Sequence, residues 1–370
     1  MERDPWWRVE PIYSSVRAHC QQAIIPSSWV TVDEVMIAFR GRSVHIIKQK
    51  NKPINEGYKI WALGFEGYCY NWLFYSPING SEGCNNKRPQ RFNTSGSSTS
   101  VLLTDTFQVP VMLLQKLRAR HLQQNYVAFL DNLFLNIHVA NVLLNLGVGV
   151  MGTTRKNASG ILSELIDLKE RNTALLYGGH YLVIVEEVLA VAWQDNNTVL
   201  VLTTAFSFDD CPDNWVWRDR RRPKNSSTNA IIARPIFGNK SHMELAIPLA
   251  IDAYNHHMNG IDLANQIRHN FTCHLQFETR NWRPIAWWLL DVCTGNAFII
   301  WRRFQPEKVQ RGRHMHEIFQ KNLIRQLLLR GSSHQPGKLG VLRRCVWGAK
   351  HPEECASDVG KMHNSERVSR

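Results

Sequence analysis

Short apolar stretches broken by Gly, Pro and Asn dominate the first third of the chain. "WVTVDEVMIAF" opens as a β-branched strand ending at Asp33 and Glu34, and "SVHIIKQK", "YKIWALGFEG" and "YCYNWLFYSP" alternate or run apolar over strand-like lengths. A period of two with turn residues between the runs predicts an antiparallel meander. Ahead of it, "YSSVRAHCQQAI" reads as the tail of a helix leading through Pro26 into extended chain. Residues 79–100 are polar, basic and rich in Gly, Ser and Asn, which predicts a mobile surface loop.

The pattern then alternates between helix and strand. "TFQVPVMLLQKLRARHLQ" predicts a helix, and "NYVAFLDNLF" a buried strand ending in Asp131. "NIHVANVLLNLG" predicts a helix closed by Gly147, and "VGVMGTTRKN" a short strand running into a basic loop. From about 160 to 247 the character changes. "HYLVIVEEVLAVAW" and "TVLVLTTAF" are strand-like and joined by "QDNN", while "RDRRRPKNSS" reads as a charged loop, so this region predicts a β-rich insert. Residues 248–270 and 282–304 read as two helices, and 305–370 is basic, increasingly polar and weakly patterned.

With 370 residues, 44% of them hydrophobic, the chain can bury a core of one large or two medium domains. Its 13 Trp and 15 Phe argue against disorder. A formal charge of +13 favours a polyanionic partner, nucleic acid first and an anionic membrane surface second. The 8 cysteines are scattered without a CxxC pair and read as reduced thiols of an intracellular protein. "MERDPWWRVE" lacks an apolar signal core. The best membrane candidate, "IAWWLLDVCTGNAFIIW" (285–301), carries Asp291 and Asn296 and is flanked by arginines. A buried core helix of a soluble protein is therefore expected, with no membrane partner.

One stretch is chemically pointed. "AYNHHMNGIDLANQ" (253–266) offers either a metal site on His256 and His257 or a carboxylate, Asp262, at a helix start. Asp33 and Asp131 each lie at or near the end of an apolar run, where an ionised carboxylate needs a cation, an Arg or water. If their strands are neighbours and Asp262 packs across them, three carboxylates make a hard-oxygen site suited to Mg²⁺ or Mn²⁺. Taken singly, each Asp is as readily a turn former or a helix N-cap, and spacing alone leaves both readings open.

Seven words decide between them: "VTVDEVMIAFRGRS", "YKIWAL", "FLDNLF", "GVMGTTRKN", "WQDNNTVLVLTT", "YNHHMNGIDLANQ" and "RNWRPIAWWLLDVCTGNAFI". In this order they resemble the piggyBac family of DNA transposases and its domesticated derivatives. The resemblance implies an α/β fold, an RNase H-like catalytic core (a mixed five-stranded sheet with helices) interrupted by a β-rich insertion domain. It divides the chain into an N-terminal remnant of a DNA-binding and dimerisation region (1–30), the first part of the core (31–159), the insertion (160–247), the final core helices (248–304) and a basic tail (305–370).

The resemblance further implies metal-dependent cleavage and transfer of DNA strands at inverted repeats with TTAA targets. Asp33, Asp131 and Asp262 would be catalytic and hold two Mg²⁺ or Mn²⁺ ions. Arg40, Arg42, Lys59, Arg155, Lys156 and Asn157 would contact double-stranded DNA, with Thr153 and Thr154 adding neutral hydrogen bonds. A homodimer acting in the nucleus is the implied setting. His256 and His257 then become surface or DNA-proximal residues, and Gly260 lets the backbone approach closely.

Three departures qualify this expectation. Asn265 stands where many members carry a fourth Asp. About thirty residues precede Asp33, fewer than the family's N-terminal region occupies. In the tail, Cys345, His351, Cys355 and His363 match no zinc-ligand spacing, so zinc is not expected. The chain thus reads as truncated at both ends, and the alternative is a catalytically inactive, domesticated DNA-binding or chromatin protein.

Overall fold

The computed structural model describes residues 5–50, 52–84, 88–94, 100–171, 175–209, 211–224, 230–274, 278–306 and 314–333. The chain divides into two compact units, Met1–Ile299 and Ile300–Arg370. In the first, helix α1 (Ile12–Gln22) precedes a meander of β1 (Trp29–Ala38), β3 (Glu56–Phe65) and β4 (Tyr68–Ser76), with two-residue strands β2 (Ile47–Lys48) and β5 (Gly80–Ser81) at its margins. β3 pairs antiparallel with both β1 and β4. These strands are buried almost throughout because helices cover both faces of the sheet. Inside β1 the burial breaks at Asp33 and Glu34.

β1 does not end at those acids, as its sequence suggested. It continues to Ala38 because β3 pairs with it as far as Gly57. The stretch 79–100, expected as a loop, carries strand among its described residues. Strands β6 (Gln90–Asn93) and β7 (Ser100–Leu103) form a separate antiparallel pair there.

Helix α2 (Asp105–Arg120) leads to β8 (Tyr126–Leu130), which pairs parallel with β1. Helix α3 (Ile137–Asn145) follows, and the side chain of its N-cap Asn136 accepts the Val139 N–H. Gly147, at φ +70°, turns the chain out of α3 into β9 (Val148–Thr153), parallel to β8. The resulting order β4-β3-β1-β8-β9 joins three antiparallel strands to two parallel ones.

The sheet does not stop at β9. After α4 (Ser163–Arg171), β10 (His180–Val185), β11 (Val188–Gln194) and β12 (Thr198–Thr203) form a second meander, and β12 pairs antiparallel with β9. The run "HYLVIVEEVLAVAW" is therefore two strands, turning at Glu186 with φ +57°. Much of the expected insertion extends the main sheet. Its later part stands apart as a ribbon of β13 (Trp215–Arg221) and β14 (His242–Pro248), separated in sequence by α5 (Ala230–Phe237). Arg218 to Arg221 are paired strand residues rather than a loop. Arg218 forks onto Asp252 and Arg220 onto Asp195, so their charges are largely compensated.

The chain then forms α6 (Leu249–His257), α7 (Gly260–Asn270) and α8 (Arg283–Arg303), with a break at Met258 and Asn259 inside the predicted 248–270 helix. α8 is apolar and long enough to cross a membrane by length and composition. Its Ile285, Trp288, Leu289 and Val292 instead belong to a core cluster with Val35, Ile60 and Ile261. Two of its buried polar side chains, Asp291 and Asn296, are satisfied. Asp291 accepts from Thr272 and from the Cys273 N–H, and Asn296 bonds both backbone groups of Cys69. α6 covers Phe129, Met151, Val191 and Val201 in a second cluster on the same face of the sheet. In the second unit, α9 (Met315–Ser333) packs Phe319 against Trp301, and the tail residues 345–363 lie outside the described residues.

Candidate active site

The parallel register of β1 and β8 runs from Trp29 opposite Val127 to Val32 opposite Leu130. The next residues are Asp33 and Asp131. Asp131 is the first residue beyond β8, so the two acids stand one step past the last paired position of adjacent strands. Each carboxylate is tied to its own backbone, since Oδ1 of Asp33 accepts the Glu34 N–H at 2.7 Å and Oδ1 of Asp131 accepts the Asn132 N–H at 2.6 Å.

The third carboxylate comes from α7. Thr31, two residues before Asp33, donates its hydroxyl toward the carbonyls of Phe129 and Met258, each at 3.1 Å. The Gly67 N–H donates to the Gly260 carbonyl at 3.1 Å. Gly260 makes this docking possible, because a Cβ there would stand 2.8 Å from Thr31 Cγ2 and 3.2 Å from the Phe65 backbone. The junction of α6 and α7 is thereby pinned to β1. Asp262 follows in the first turn of α7, where the helix dipole favours a negative charge. Asp33 and Asp262 come close enough to repel. Burial pushes the Asp33 carboxyl up to about 6, with the Asp262 charge adding to the rise and the Glu34 N–H bond opposing it.

Asp131 and Asp262 are exposed, whereas Asp33 is half-buried. Among the described residues no three His, Cys, Asp or Glu side chains are already gathered as a metal-binding group. Asp131 is linked to the remainder through hydroxyls. Thr153 donates to Asp131 Oδ1 at 3.4 Å and lies 3.3 Å from the Tyr254 hydroxyl. Tyr254 is pushed up to about 12 by burial, against the Thr153 bond and with the Asp131 and Asp33 charges contributing. Sequence reasoning passed over Tyr254 although it lies inside the quoted motif, because its spacing marks it only as a core aromatic.

The two histidines are engaged elsewhere. His256 Nδ1 lies 2.8 Å from the Asp252 carbonyl, and its ring is 3.5 Å from the carboxylate that Arg218 holds. His257 stands edge-on to Trp29 with ring centres 4.1 Å apart.

The expected DNA-contacting residues separate into two groups. Lys59 is only 8% exposed, its ammonium 2.9 Å from Glu34 Oε2 and 3.8 Å from the centre of the Trp61 ring. It is a structural cation, and a phosphate contact would require that pair to open. Thr154 is likewise buried, its hydroxyl given to the Leu135 carbonyl. Arg40, Arg42, Arg155, Lys156 and Asn157 are exposed. Arg155 donates to Asn132 beside Asp131, and Lys156 pairs with Glu170.

A cation that the sequence did not single out feels the charges of Asp33 and Asp262. Lys52 is 2.6 Å from Glu34 Oε1. Burial works against its charge, but Glu34, then Asp33 and Asp262, hold the ammonium above its ordinary value. Lys52 also lines a cleft of about 730 Å³ with Asp262, Asn265, Gln266 and His269. Asn265 therefore borders the site, as a neutral group.

Residues 1–298 match the profile of a family described as Transposase IS4. Two human proteins are similar in sequence, PiggyBac transposable element-derived protein 3 and the chimeric ERCC6-PGBD3 protein. Each is 22% identical over 345 residues, or 91% of this chain. The chain spans 50% of the first and 28% of the second. A cryo-EM structure of a piggyBac transposase synaptic complex with hairpin DNA has a similar fold. Its TM-score is 0.62 at 20% identity, over 94% of this chain and 63% of that chain.

Proposed function

The chain belongs to the transposase IS4 family, and from that premise we propose that it carries the catalytic core of a piggyBac-like transposase, which cuts and joins DNA at inverted repeats with TTAA targets. The observation that carries this reading is the register. Asp33 and Asp131 take equivalent positions at the step between two parallel strands, and α7 brings Asp262 to Asp33. The order β4-β3-β1-β8-β9, with its antiparallel and parallel halves, supports an RNase H-like core. The segment between the second and third Asp, including β10 to β14, is then the insertion. A solved relative in complex with hairpin DNA supports double-stranded DNA as the partner. A homodimer acting on nuclear DNA completes the proposal.

The donor set fits Mg²⁺ or Mn²⁺. All three side chains offer hard oxygens, and the mutual repulsion of Asp33 and Asp262 is what a dication would relieve. Asp33, Asp131 and Asp262 would hold two such ions, which supply charge neutralisation at the phosphate and activation of the attacking oxygen. The chain's own residues do the rest. The α6–α7 junction on Thr31 fixes the approach of Asp262. Lys52, paired with Glu34 next to Asp33, and Arg155, bonded to Asn132 next to Asp131, would neutralise flanking phosphates, with Arg40 and Arg42 on the loop beyond β1.

One observation favours a second reading, a DNA-binding derivative without catalysis: Asn265, which borders the cleft with Asp262, adds no charge. Calorimetry with Mn²⁺ on the wild type, Asp131→Ala and Asp262→Ala separates the two, followed by cleavage assays on inverted-repeat DNA. Millimolar or tighter binding lost in both variants, with metal-dependent cleavage, supports the transposase. DNA binding without metal-dependent cleavage selects the silent derivative.

A further inference from the structure

We propose that Tyr254 is a positioning residue of the carboxylate site, its hydroxyl acting through Thr153 to hold the Asp131 carboxylate in one orientation. The inference rests on the catalytic reading above and adds a residue to it. Asp131 is the first residue beyond β8 and is exposed, so its side chain would otherwise turn freely in water. Two donors meet its Oδ1, the Asn132 N–H and the Thr153 hydroxyl. Thr153 is placed for this by the parallel register of β8 and β9, in which Gly152 lies opposite Leu130, so that the next pair is Thr153 and Asp131.

Chemistry sets the direction of the chain. An ionised carboxylate only accepts, so the single Thr153 proton goes to Asp131. The Thr153 oxygen is then left to accept, and the donor beside it is the Tyr254 hydroxyl at 3.3 Å. The bridge runs from Tyr254 through Thr153 to Asp131. Its far end is rigid. Tyr254 is 7% exposed and packs with Phe129, Met151 and Ala250. It also sits on α6, which passes through the pinned junction into α7 and Asp262. Tyr254 therefore couples the strand-borne carboxylate to the helix-borne one, which a Phe of the same shape would not do.

The test uses the full chain carrying ¹³C-labelled aspartate carboxyls, compared with Tyr254→Phe, Thr153→Val and Thr153→Ser. In metal-free protein, Tyr254→Phe and Thr153→Val should each displace the Asp131 carboxyl resonance, assigned with Asp131→Asn, while Thr153→Ser keeps it. Mn²⁺ affinity should fall about tenfold in Tyr254→Phe, the scale of losing a group that orients a metal ligand, with the melting temperature held. In the Thr153→Val background Tyr254→Phe should have no further effect. An unmoved Asp131 resonance in Tyr254→Phe overturns the proposal. So does an equal effect of Tyr254→Phe in both backgrounds, which would make Tyr254 a packing residue. If the wild type binds no Mn²⁺, the metal-dependent reading fails on its own, and the Asp131 resonance still decides the bridge.

Discussion

Asp33 and Glu34 are consecutive residues of one strand, and the fold treats their charges in opposite ways. Glu34 receives Lys52 at 2.6 Å, Lys59 at 2.9 Å and a bond from Gln49. Burial alone would raise it, but the two lysines outweigh burial and pull its carboxyl down to about 2. Asp33, one residue away, receives a backbone N–H and faces another carboxylate, and it stands near 6. A protein that can place two lysines on one carboxylate has left its neighbour under-compensated. Such a mismatch beside a cleft supports the cation site proposed above, because a structural carboxylate is ordinarily paired where it is buried.

The comparison breaks most sharply on the compensated side. Glu34→Ala strands Lys59 in a buried position without its counter-charge. It should destabilise the protein by about 3–5 kcal/mol in denaturant titration. Because the Glu34 carboxyl is lowered on folding, its contribution is present above its unfolded value of 4.5 and is lost as pH falls toward 2. A loss that persists undiminished at the acid end of that window would contradict the assignment.

On the under-compensated side the sign reverses. The Asp33 carboxyl is raised from 3.8 to about 6. Folding therefore favours its protonated form, and the metal-free protein loses stability as pH rises through that window. Asp33→Asn should stabilise the metal-free protein at pH 7 by up to about 3 kcal/mol, from roughly two pH units, while abolishing Mn²⁺ binding. An Asn variant that is less stable than the wild type at pH 7 would show that Asp33 is a paired structural acid.

The smallest effect belongs to the residue that touches both sides. Lys52 is about half exposed, so Lys52→Ala should change stability by less than about 1 kcal/mol. If it neutralises a DNA phosphate, the same variant should weaken DNA binding and reduce the salt dependence by about one ion. An unchanged salt slope would confine Lys52 to its pair with Glu34.

Much of this architecture was legible before folding. The runs that became β3, β4, β8 and β9 show it in their own apolar pattern, and α3 shows it in its apolar run and Gly147 exit. The candidate carboxylates were legible too, as polar interruptions of apolar runs and as words shared with a family. Where the sequence misled, a partner strand had intervened. β1 outran its acids because β3 continued beside it, and Arg218 to Arg221 of the expected loop became strand because β14 lay opposite.

What only the tertiary structure decided is which charges are matched. Lys59 reads as a surface cation until Glu34 and Trp61 enclose it, and Lys52 has no signature until its loop meets both Glu34 and α7. Tyr254 lies 101 residues from Thr153, and only the register of β8 with β9 brings that threonine to Asp131. Periodicity and turn chemistry act between residues a few positions apart, so the chain alone determined its elements and the acids they carry. Compensation of charge acts through space between distant segments, so the contrast between Asp33 and Glu34 exists only once they have packed.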